Sequence, residues 1–355
     1  MEIFNATDLS YVKSITDDII LISAKTLSYF TVINGCVLGQ CLAIFGLIVN
    51  LLNIVVFVRQ GLQDPVNISL LGLSVSDLAS LFVHFFSNLC WTPAIMRMDL
   101  PFYPTQLMYF LVWIHVIFSR VTAGITAWIT FERCVCIVCP LKIKSIVTPQ
   151  RTVNVICVLY VTMCTSTIPV FYSTRAVWIF DPRRNRSILG IARITHSEYI
   201  QQIAFWINNI LPITFFVFIT TCTIILVKSL KKISKWKQQS AYSQNPGLIS
   251  QRDTKVVRMI TIISIVFIAC YTPGAVLLIF ILIFPELTYS GKQKNLLVVI
   301  LSILVQLEGI NATANFFIYF TMSSKFKRTL ISLFCAYGCK MKQRLESSAN
   351  KNLKN

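Results

Sequence analysis

The chain has few charged residues, and it is especially poor in acidic ones. Only 13% of its 355 residues are charged, with 14 Asp and Glu against 32 Lys and Arg. A water-soluble chain of this length carries about twice that fraction of charge. The residues that would cover a soluble surface are therefore missing, which favours one bundle in lipid over two soluble domains.

Several familiar motifs are also absent from the sequence. The first residues contain neither a basic segment nor a cleavable apolar segment, so we expect no signal peptide. No His-Glu-x-x-His or Gly-x-Ser-x-Gly motif occurs, and Cys134, Cys136 and Cys139 lack a matching pair of histidines. The sequence thus predicts neither an enzyme nor a structural zinc site.

Seven long apolar runs are what the sequence does contain. Each approaches or exceeds the roughly 20 residues that a helix needs to cross the hydrocarbon core. The runs do not alternate apolar with polar residues, which argues against a barrel, so we predict an all-α membrane protein with a seven-helix transmembrane bundle. The predicted spans are Val32–Val58, Ile68–Trp91, Leu107–Ile129, Val153–Val170, Ile200–Val227, Met259–Ile283 and Leu296–Phe320.

The net charge of +18 is distributed as in a membrane protein rather than in a nucleic-acid-binding one. The loops after the first, third and fifth runs, together with the C-terminal tail, hold 21 Lys and Arg, and the opposite side holds ten. This bias predicts a plasma-membrane protein with its N-terminus outside and its C-terminus in the cytoplasm. The sequons at Asn5 and Asn185 then lie outside as candidate glycosylation sites, whereas those at Asn67 and Asn311 do not. The arginine-rich loop between the fourth and fifth runs is an exception to the bias.

The chain divides into four predicted regions. Residues 1–31 are expected to form an extracellular arm, 32–320 the seven-span domain, 321–339 an amphipathic helix on the inner leaflet, and 340–355 a disordered cytoplasmic tail. Cys335 and Cys339 at the end of the amphipathic helix are placed for S-palmitoylation, and they can equally remain free thiols.

Short motifs occur in a fixed order along the runs. They are Asn50 in the first run, Leu73-Ser74-Val75-Ser76-Asp77 in the second, Glu132-Arg133-Cys134 in the third, Pro212 in the fifth, Cys270-Tyr271-Thr272-Pro273 in the sixth and Asn315-Phe316-Phe317-Ile318-Tyr319 in the seventh. Together they resemble the rhodopsin-like (class A) G-protein-coupled receptors over nearly the whole chain. The sequence around Glu132 is similar to invertebrate chemosensory and neuropeptide (FMRFamide-like) receptors.

The resemblance implies a switch at the inner end of the bundle. Arg133 would be held at rest by Glu132 and by Asp253, and its release would present a charge to a heterotrimeric G protein. Asp253 is alternatively a solvated loop residue. Pro273 removes a backbone hydrogen bond, so the sixth run would swing outward. The resemblance also assigns Tyr271, Asn315 and Tyr319 to this switch.

A second implied site is a polar network within the membrane. The carboxylate of Asp77 needs donors or a cation in lipid. The resemblance implies that a sodium ion and water bind at Asn50, Asp77, Thr122, Asn311 and Asn315. A purely structural hydrogen-bond network is the alternative, and no other cofactor is expected.

The sequence also departs from the family pattern. Tyr271 replaces a Trp, Phe316 a Pro and Thr220 a Tyr. Met108 stands where the third run would offer the Cys of an outer disulfide, and no Cys lies between residues 171 and 201 to pair with it. We therefore expect the outer loop to be more mobile than in the family.

Two charges lie deep in the runs, toward the outer side. Arg120 and Glu308 fall at similar depths, judged from about 1.5 Å of helix rise per residue. They either pair across the bundle, or one of them binds a charged ligand. His115 stands where amine receptors carry an Asp, and together with Arg120 and the arginine-rich loop it favours an acidic ligand. His115 is alternatively a satisfied polar residue of the bundle. The candidate ligand pocket comprises His115, Ser119, Arg120, Tyr271 and Glu308.

These patterns predict a receptor that binds an extracellular small molecule or peptide and activates a heterotrimeric G protein. A ligand-gated channel or transporter subunit with seven spans is the alternative. The inverted repeats and matched broken helices typical of transporters were not found in the sequence, which favours the receptor.

Overall fold

The computed structural model describes residues 20–140, 142–182, 184–239 and 251–335. Within these ranges, seven helices are long and apolar enough to cross a membrane, which confirms the predicted seven-helix bundle. The helices are α1 (Ala24–Gln60), α2 (Pro65–Cys90), α3 (Pro104–Val138), α4 (Pro149–Ser173), α5 (Ser197–Gln239), α6 (Gln251–Ile283) and α7 (Lys294–Met322).

Local sequence signals place the starts of several helices. Pro65, Pro104 and Pro149 each occupy the first position of a helix, where a missing N–H costs nothing. Asp64 caps α2 by accepting a hydrogen bond from the backbone N–H of Val66 at 3.1 Å, and Thr148 caps α4 in the same way. These caps fix where the chain leaves a loop and enters the bundle.

Helix α1 begins earlier than the sequence predicted. It starts at Ala24, inside the arm expected over residues 1–31, and Ser23 caps it by accepting from the N–H of Thr26 at 3.1 Å. An apolar run ends at the edge of the hydrocarbon core, whereas a helix with a capped start extends beyond that edge. The segment Val32–Gly39 of α1 is a π-helix, a rare conformation that often accompanies functional sites.

The helices pack around α3, which contacts α2, α4, α5 and α6, while α7 closes the bundle against α1, α2 and α6. Small residues allow close approach: a Cβ at Gly46 of α1 would lie 2.7 Å from Leu81 and 2.8 Å from Thr313. The largest apolar cluster, which includes Phe57, Ile129 and Tyr319, fills the end of the bundle that carries Arg133.

A β-hairpin connects α4 to α5, so the fold is not purely helical. Strand β1 (Thr174–Asp181) pairs antiparallel with β2 (Arg186–Arg193). The all-α prediction missed the hairpin because its strands are short and rich in arginine. The hairpin marks one end of the bundle, termed the hairpin end, and Arg133 marks the opposite end.

Polar contacts fasten the hairpin to the loop between α2 and α3. Asp99 accepts from Arg186 Nη2 at 2.5 Å and lies 3.4 Å from Arg184 Nη1, and both guanidinium groups also donate to the carbonyl of Leu100. Tyr103 donates to Asp181 at 2.7 Å. These contacts of Asp99 and Leu100 with Arg184 and Arg186 are termed the arginine clamp. The expected mobility of the outer loop stays a prediction.

The chain turns after α7 into a further helix over residues 324–335, termed α8. Phe326 and Leu330 are buried on one face, where the ring of Phe326 packs against Phe57 of α1 and Tyr319 of α7. Its basic residues lie on the exposed side. Cys335 is exposed at its end, and Cys339 lies outside the described residues.

Candidate functional site

A cavity of about 540 Å³ lies between α1, α2, α3, α5, α6 and α7, toward the hairpin end. Most of its lining is apolar, from residues such as Val112, Phe205, Phe216, Leu278 and Leu301. All five side chains predicted for the ligand pocket line it, namely His115, Ser119, Arg120, Tyr271 and Glu308. A mainly apolar cavity with a few convergent polar groups is typical of small-ligand sites.

The polar groups at its base form a cluster around Glu308. His115 Nε2 lies 3.1 Å from one carboxylate oxygen of Glu308, and Arg120 Nη1 lies 4.0 Å from the other. Ser80 lies 3.1 Å from His115 Nδ1, so the ring is held on both sides. The structure thus brings together the two charges that the sequence placed at similar depth.

Arg120 is less well satisfied than Glu308. Its Nε is buried and has no hydrogen-bond partner among the described residues, and its contact with Glu308 is long for an ion pair. Glu308 already has His115 as a close partner. A partly buried guanidinium with spare donors favours a planar anion such as a carboxylate.

Tyr271 connects this cluster to α6. Its hydroxyl lies 3.3 Å from Ser119 Oγ, and its ring stacks on Phe267 with 4.1 Å between centroids. Movement of a ligand against Tyr271 would therefore act on α6 two residues from Pro273, which lies inside the same helix.

A second polar group in the cavity was not predicted. Asn34, His84, Asn88, Ser302 and Gln306 of α1, α2 and α7 form one side of the lining, termed the amide wall. The rule that singled out Asp77, that polar residues within lipid are costly, applies equally to these side chains. Their uncharged chemistry made them less conspicuous in the sequence.

Asp77 lies at the centre of the network predicted between α2, α3 and α7. Thr122 Oγ1 and Asn315 Nδ2 each donate to its carboxylate at 2.9 Å. Asn50 does not join them and instead donates to the backbone carbonyls of Gly46 and Ala312. The structure thus brings Thr122 and Asn315 onto Asp77, while Asn50 joins α1 to α7.

Oxygen atoms without partners remain in this network. Asn311 Oδ1 and Asn315 Oδ1 are buried and accept no hydrogen bond from the described residues. Together with the Asp77 carboxylate they form a hard-donor set of the kind that suits a small cation. Among the same residues, no group of three or more His, Cys, Asp or Glu could hold a metal ion.

At the Arg133 end, the contacts of Glu132 differ from those that were predicted. Glu132 is fully buried, and its carboxylate accepts hydrogen bonds from Thr152 at 3.0 Å and from Ser69 at 3.3 Å. No ion pair joins it to Arg133 in the part of the chain that the structure describes. The expected Glu132–Arg133 contact is therefore corrected, because the carboxylate points to α2 and α4.

Arg133 is itself buried, and its Nε has no partner among the described residues. The sequence predicted Asp253 as the other partner of Arg133, and the side chain of Asp253 is not among those that the structure describes. Next to Arg133, Thr130 and Ser264 lie 2.8 Å apart and connect α3 to α6. The Tyr319 hydroxyl is buried and unpartnered in the described ranges.

The structure describes one of the two sequons that the sequence assigned to the outside. Asn185 is exposed at the tip of the hairpin with a φ of 50°, and Asn5 lies outside the described residues. Asn67 is buried and donates to the carbonyl of Phe57 at 2.9 Å, so it is closed to modification.

The seven spans and the cavity between them define the class as a seven-transmembrane helix bundle. Residues 37–337 match the family described as serpentine type 7TM GPCR chemoreceptor Srw, and the chain belongs to this family of multi-pass membrane proteins. The chain is also similar to the FMRFamide peptide receptor frpr-18 of Caenorhabditis elegans, with 24% identity over 306 residues. That match covers 82% of this chain and 66% of the relative, so the chain spans just under two thirds of the relative's length.

The predicted alternative, a channel or transporter subunit, is not favoured, because the family and the relative are both receptors.

Proposed function

We propose that the protein is a rhodopsin-like receptor in the plasma membrane, with its hairpin end outside and its C-terminus in the cytoplasm. The observation that carries the proposal is the cavity, which lies toward the hairpin end of the bundle and contains the Arg120–Glu308–His115 cluster. An external ligand reaches this cluster, and the Arg133 end faces a heterotrimeric G protein. The excess of basic residues on that side supports the orientation.

The ligand is a chemosensory cue or a neuropeptide that carries an acidic group. Arg120 has spare donors inside a largely apolar cavity, while Glu308 is occupied by His115. A ligand carboxylate therefore gains a charge-assisted contact with Arg120 without displacing Glu308 from His115. The similarity to an FMRFamide peptide receptor keeps a short peptide among the candidates.

Activation proceeds as a population shift. A ligand that favours a displaced α6 acts through Tyr271 on the segment around Pro273, and movement of α6 separates Ser264 from Thr130 near Arg133. Asp253, which stands on α6, remains the proposed resting partner of Arg133. Asn315 and Tyr319 transmit the shift along α7.

Sodium is the proposed allosteric ion. Asp77, Asn311 and Asn315 would hold it through their oxygen atoms, and Thr122 would orient the carboxylate. When bound, the ion supplies positive charge that stabilises the resting bundle. Palmitoyl groups on Cys335 and Cys339 would anchor α8 to the inner leaflet.

The test is a ligand screen in cells that co-express the receptor with a promiscuous G protein. A library of carboxylic acids is compared with the corresponding methyl esters, since only the acids can pair with Arg120. We expect hits among the acids, loss of the response in Arg133→Ala, and loss of acid preference in Arg120→Gln.

Arg97→Gln serves as the matched control, because Arg97 is exposed and does not line the cavity. A response that survives Arg133→Ala at normal surface expression would contradict G-protein coupling through this residue. Equal responses to acids and esters would contradict the acidic ligand but leave the receptor assignment intact.

A further inference from the structure

The β-hairpin presents an apolar face that the bundle does not cover. Trp178 and Phe180 of β1 are 68% and 57% exposed, and Leu189 of β2 lies directly opposite Trp178. Because residues that pair across two strands share one side of a sheet, these side chains form one surface, termed the hairpin face. It offers about 300 Å² of apolar area to water, which is the size of surface patch that marks an interaction site.

One edge of the same hairpin is also open. The outer edge of β2 is covered, because the N–H of Leu189 donates to the carbonyl of Pro101 at 2.7 Å and Phe102 forms a parallel bridge with Leu189. Strand β1 pairs only with β2 in the part of the chain that the structure describes. An edge strand can accept a further strand through its free backbone groups. Every second side chain of such a strand would extend the hairpin face.

The hairpin has an excess of positive charge. Residues 174–193 contain five arginines and one acidic residue, Asp181. Asp99 and Asp181 neutralise the arginine clamp, whereas Arg175 and Arg193 form no ion pair with any residue that the structure describes. The hairpin therefore suits an occupant that is both apolar and acidic.

The N-terminal arm of the same chain has this composition. Residues 1–19, which lie outside the described ranges, contain four acidic residues and one basic residue. The whole chain has only 14 acidic residues, so negative charge is concentrated in the arm. Leu9 and Tyr11 are two positions apart, which would place both side chains on one face of an extended strand.

The arm starts within reach of the hairpin. Its described end is fastened to the beginning of α7, since the N–H of Leu21 donates to Gln293 at 3.2 Å and Asn295 donates to the carbonyl of Ile22 at 2.8 Å. Two to three helix–helix distances, about 20–27 Å in all, separate α7 from α4 and α5, where the hairpin is attached. Residues 12–19 span about 26 Å when extended, which is enough to cross the bundle.

We propose that residues 8–12 of the N-terminal arm dock on the hairpin by pairing with the free edge of β1. Leu9 and Tyr11 extend the hairpin face, and Asp8 brings a negative charge to the arginine-rich hairpin. The arm then passes over the hairpin end of the cavity, where a ligand that enters from that end meets it. This inference goes beyond the proposed function and holds whichever ligand the cavity binds.

The test is hydrogen exchange, measured by mass spectrometry on the full-length receptor in nanodiscs. A synthetic peptide of residues 1–19 gives the rates of an unprotected arm. In wild type, residues 8–12 should exchange about tenfold more slowly than in the peptide. The double variant Trp178→Ser with Phe180→Ser should exchange as fast as the peptide. Tyr199→Ser removes an exposed ring at the start of α5, outside the hairpin, and should keep the protection.

A reciprocal pair of variants tests the contact from the side of the arm. Leu9→Ser with Tyr11→Ser should make exchange at residues 176–180 of β1 about threefold faster, because β1 loses its added strand. Ile3→Ser with Phe4→Ser removes as many apolar groups from the arm and should leave β1 unchanged. These variants leave the bundle unaltered, so they decide the question even if the substitutions in β1 prevent folding.

Other occupants of the hairpin face give different results, and each of these results would overturn the inference. Protection of β1 that rises with receptor concentration and ignores the arm variants would assign the face to a second copy of the chain. Protection of β1 that is lost when detergent replaces the nanodisc, with an arm that exchanges like the peptide, would assign it to lipid. An arm that exchanges like the peptide in wild type would show that it does not dock.

Discussion

His115 Nε2 of α3 and Glu308 Oε2 of α7 lie 3.1 Å apart and join two helices at the base of the cavity. Ser80 on α2 engages the other ring nitrogen, so one histidine connects three helices. Arg120 approaches the same carboxylate at 4.0 Å. A ligand that reaches this cluster therefore contacts α2, α3 and α7 together.

The pairing of Arg120 with Glu308 can be tested by charge reversal. Glu308→Arg places two guanidinium groups together in a mostly buried site and should lower the free energy of unfolding by about 3 kcal/mol. The double variant Arg120→Glu with Glu308→Arg should regain more than half of that loss. Thermal or denaturant unfolding of the purified receptor gives the values, and Arg97→Glu is the exposed control. A double variant no more stable than its single parents would contradict the pairing.

Sodium binding at Asp77 predicts an ion-specific stabilisation. At ten times its Kd, a bound ion stabilises the folded receptor by about 1.4 kcal/mol, so the unfolding midpoint should be higher in sodium chloride than in potassium chloride. Asp77→Asn should abolish the difference between the salts. Asp64→Asn, which alters only the exposed cap of α2, should retain it. Equal midpoints in both salts for wild type would leave the network as a structural one.

The buried carboxylate of Glu132 depends on Thr152. Thr152 Oγ1 donates to Glu132 at 3.0 Å and accepts from the indole of Trp128 at 3.3 Å. Thr152→Val leaves both groups without this partner and should cost about 2 kcal/mol of folding free energy. Thr165→Val on the same helix is the control, because Thr165 is exposed and bonds only to the carbonyl of Val161. Equal stability of the two variants would show that Glu132 does not need this contact.

The arginine clamp predicts how the hairpin responds to salt. Asp99→Asn weakens its contacts with Arg184 and Arg186, and hydrogen exchange at residues 188–190 should become about fivefold faster. High ionic strength should have a similar effect on wild type and a smaller one on the variant. Glu198→Gln, an exposed change at the start of α5, is the control. Exchange that is independent of both salt and Asp99 would show that backbone pairing alone holds the hairpin.

The exposed sequon tests the orientation of the bundle. If the hairpin end is outside, Asn185 carries a glycan in animal cells, and Asn185→Gln should abolish one glycosidase-sensitive mass step of about 2–3 kDa. Asn67→Gln should not change the glycan, since Asn67 is buried and bonded to Phe57. An Asn185 that carries no glycan at normal surface expression would contradict this orientation.

The spans could be predicted from the sequence because lipid imposes a length and a composition on each helix. The helix ends could not, because they follow from caps such as Ser23 and Thr148, which act in water beyond the apolar runs. The hairpin was missed for a related reason: its strands have only eight residues each, one of them begins and ends with arginine, and neither has the pattern of a buried sheet.

The residues of the site likewise divide into those that the sequence could identify and those that it could not. Asp77, Arg120 and Glu308 were identifiable because charge is rare in lipid. The direction of the Glu132 carboxylate could not be identified from the sequence, because it depends on how α3 is rotated toward Ser69 and Thr152. The amide wall combines Asn34 and Gln306 from distant runs, and only packing of α1 on α7 brings them into contact.

The arginine clamp has a practical consequence. The described cysteines are all free thiols, and the hairpin is held by guanidinium and carboxylate groups. The hairpin end should therefore survive dithiothreitol at concentrations that inactivate receptors held together by a disulfide. Production in a reducing cell-free lysate, directly into nanodiscs, is a suitable route to the intact protein.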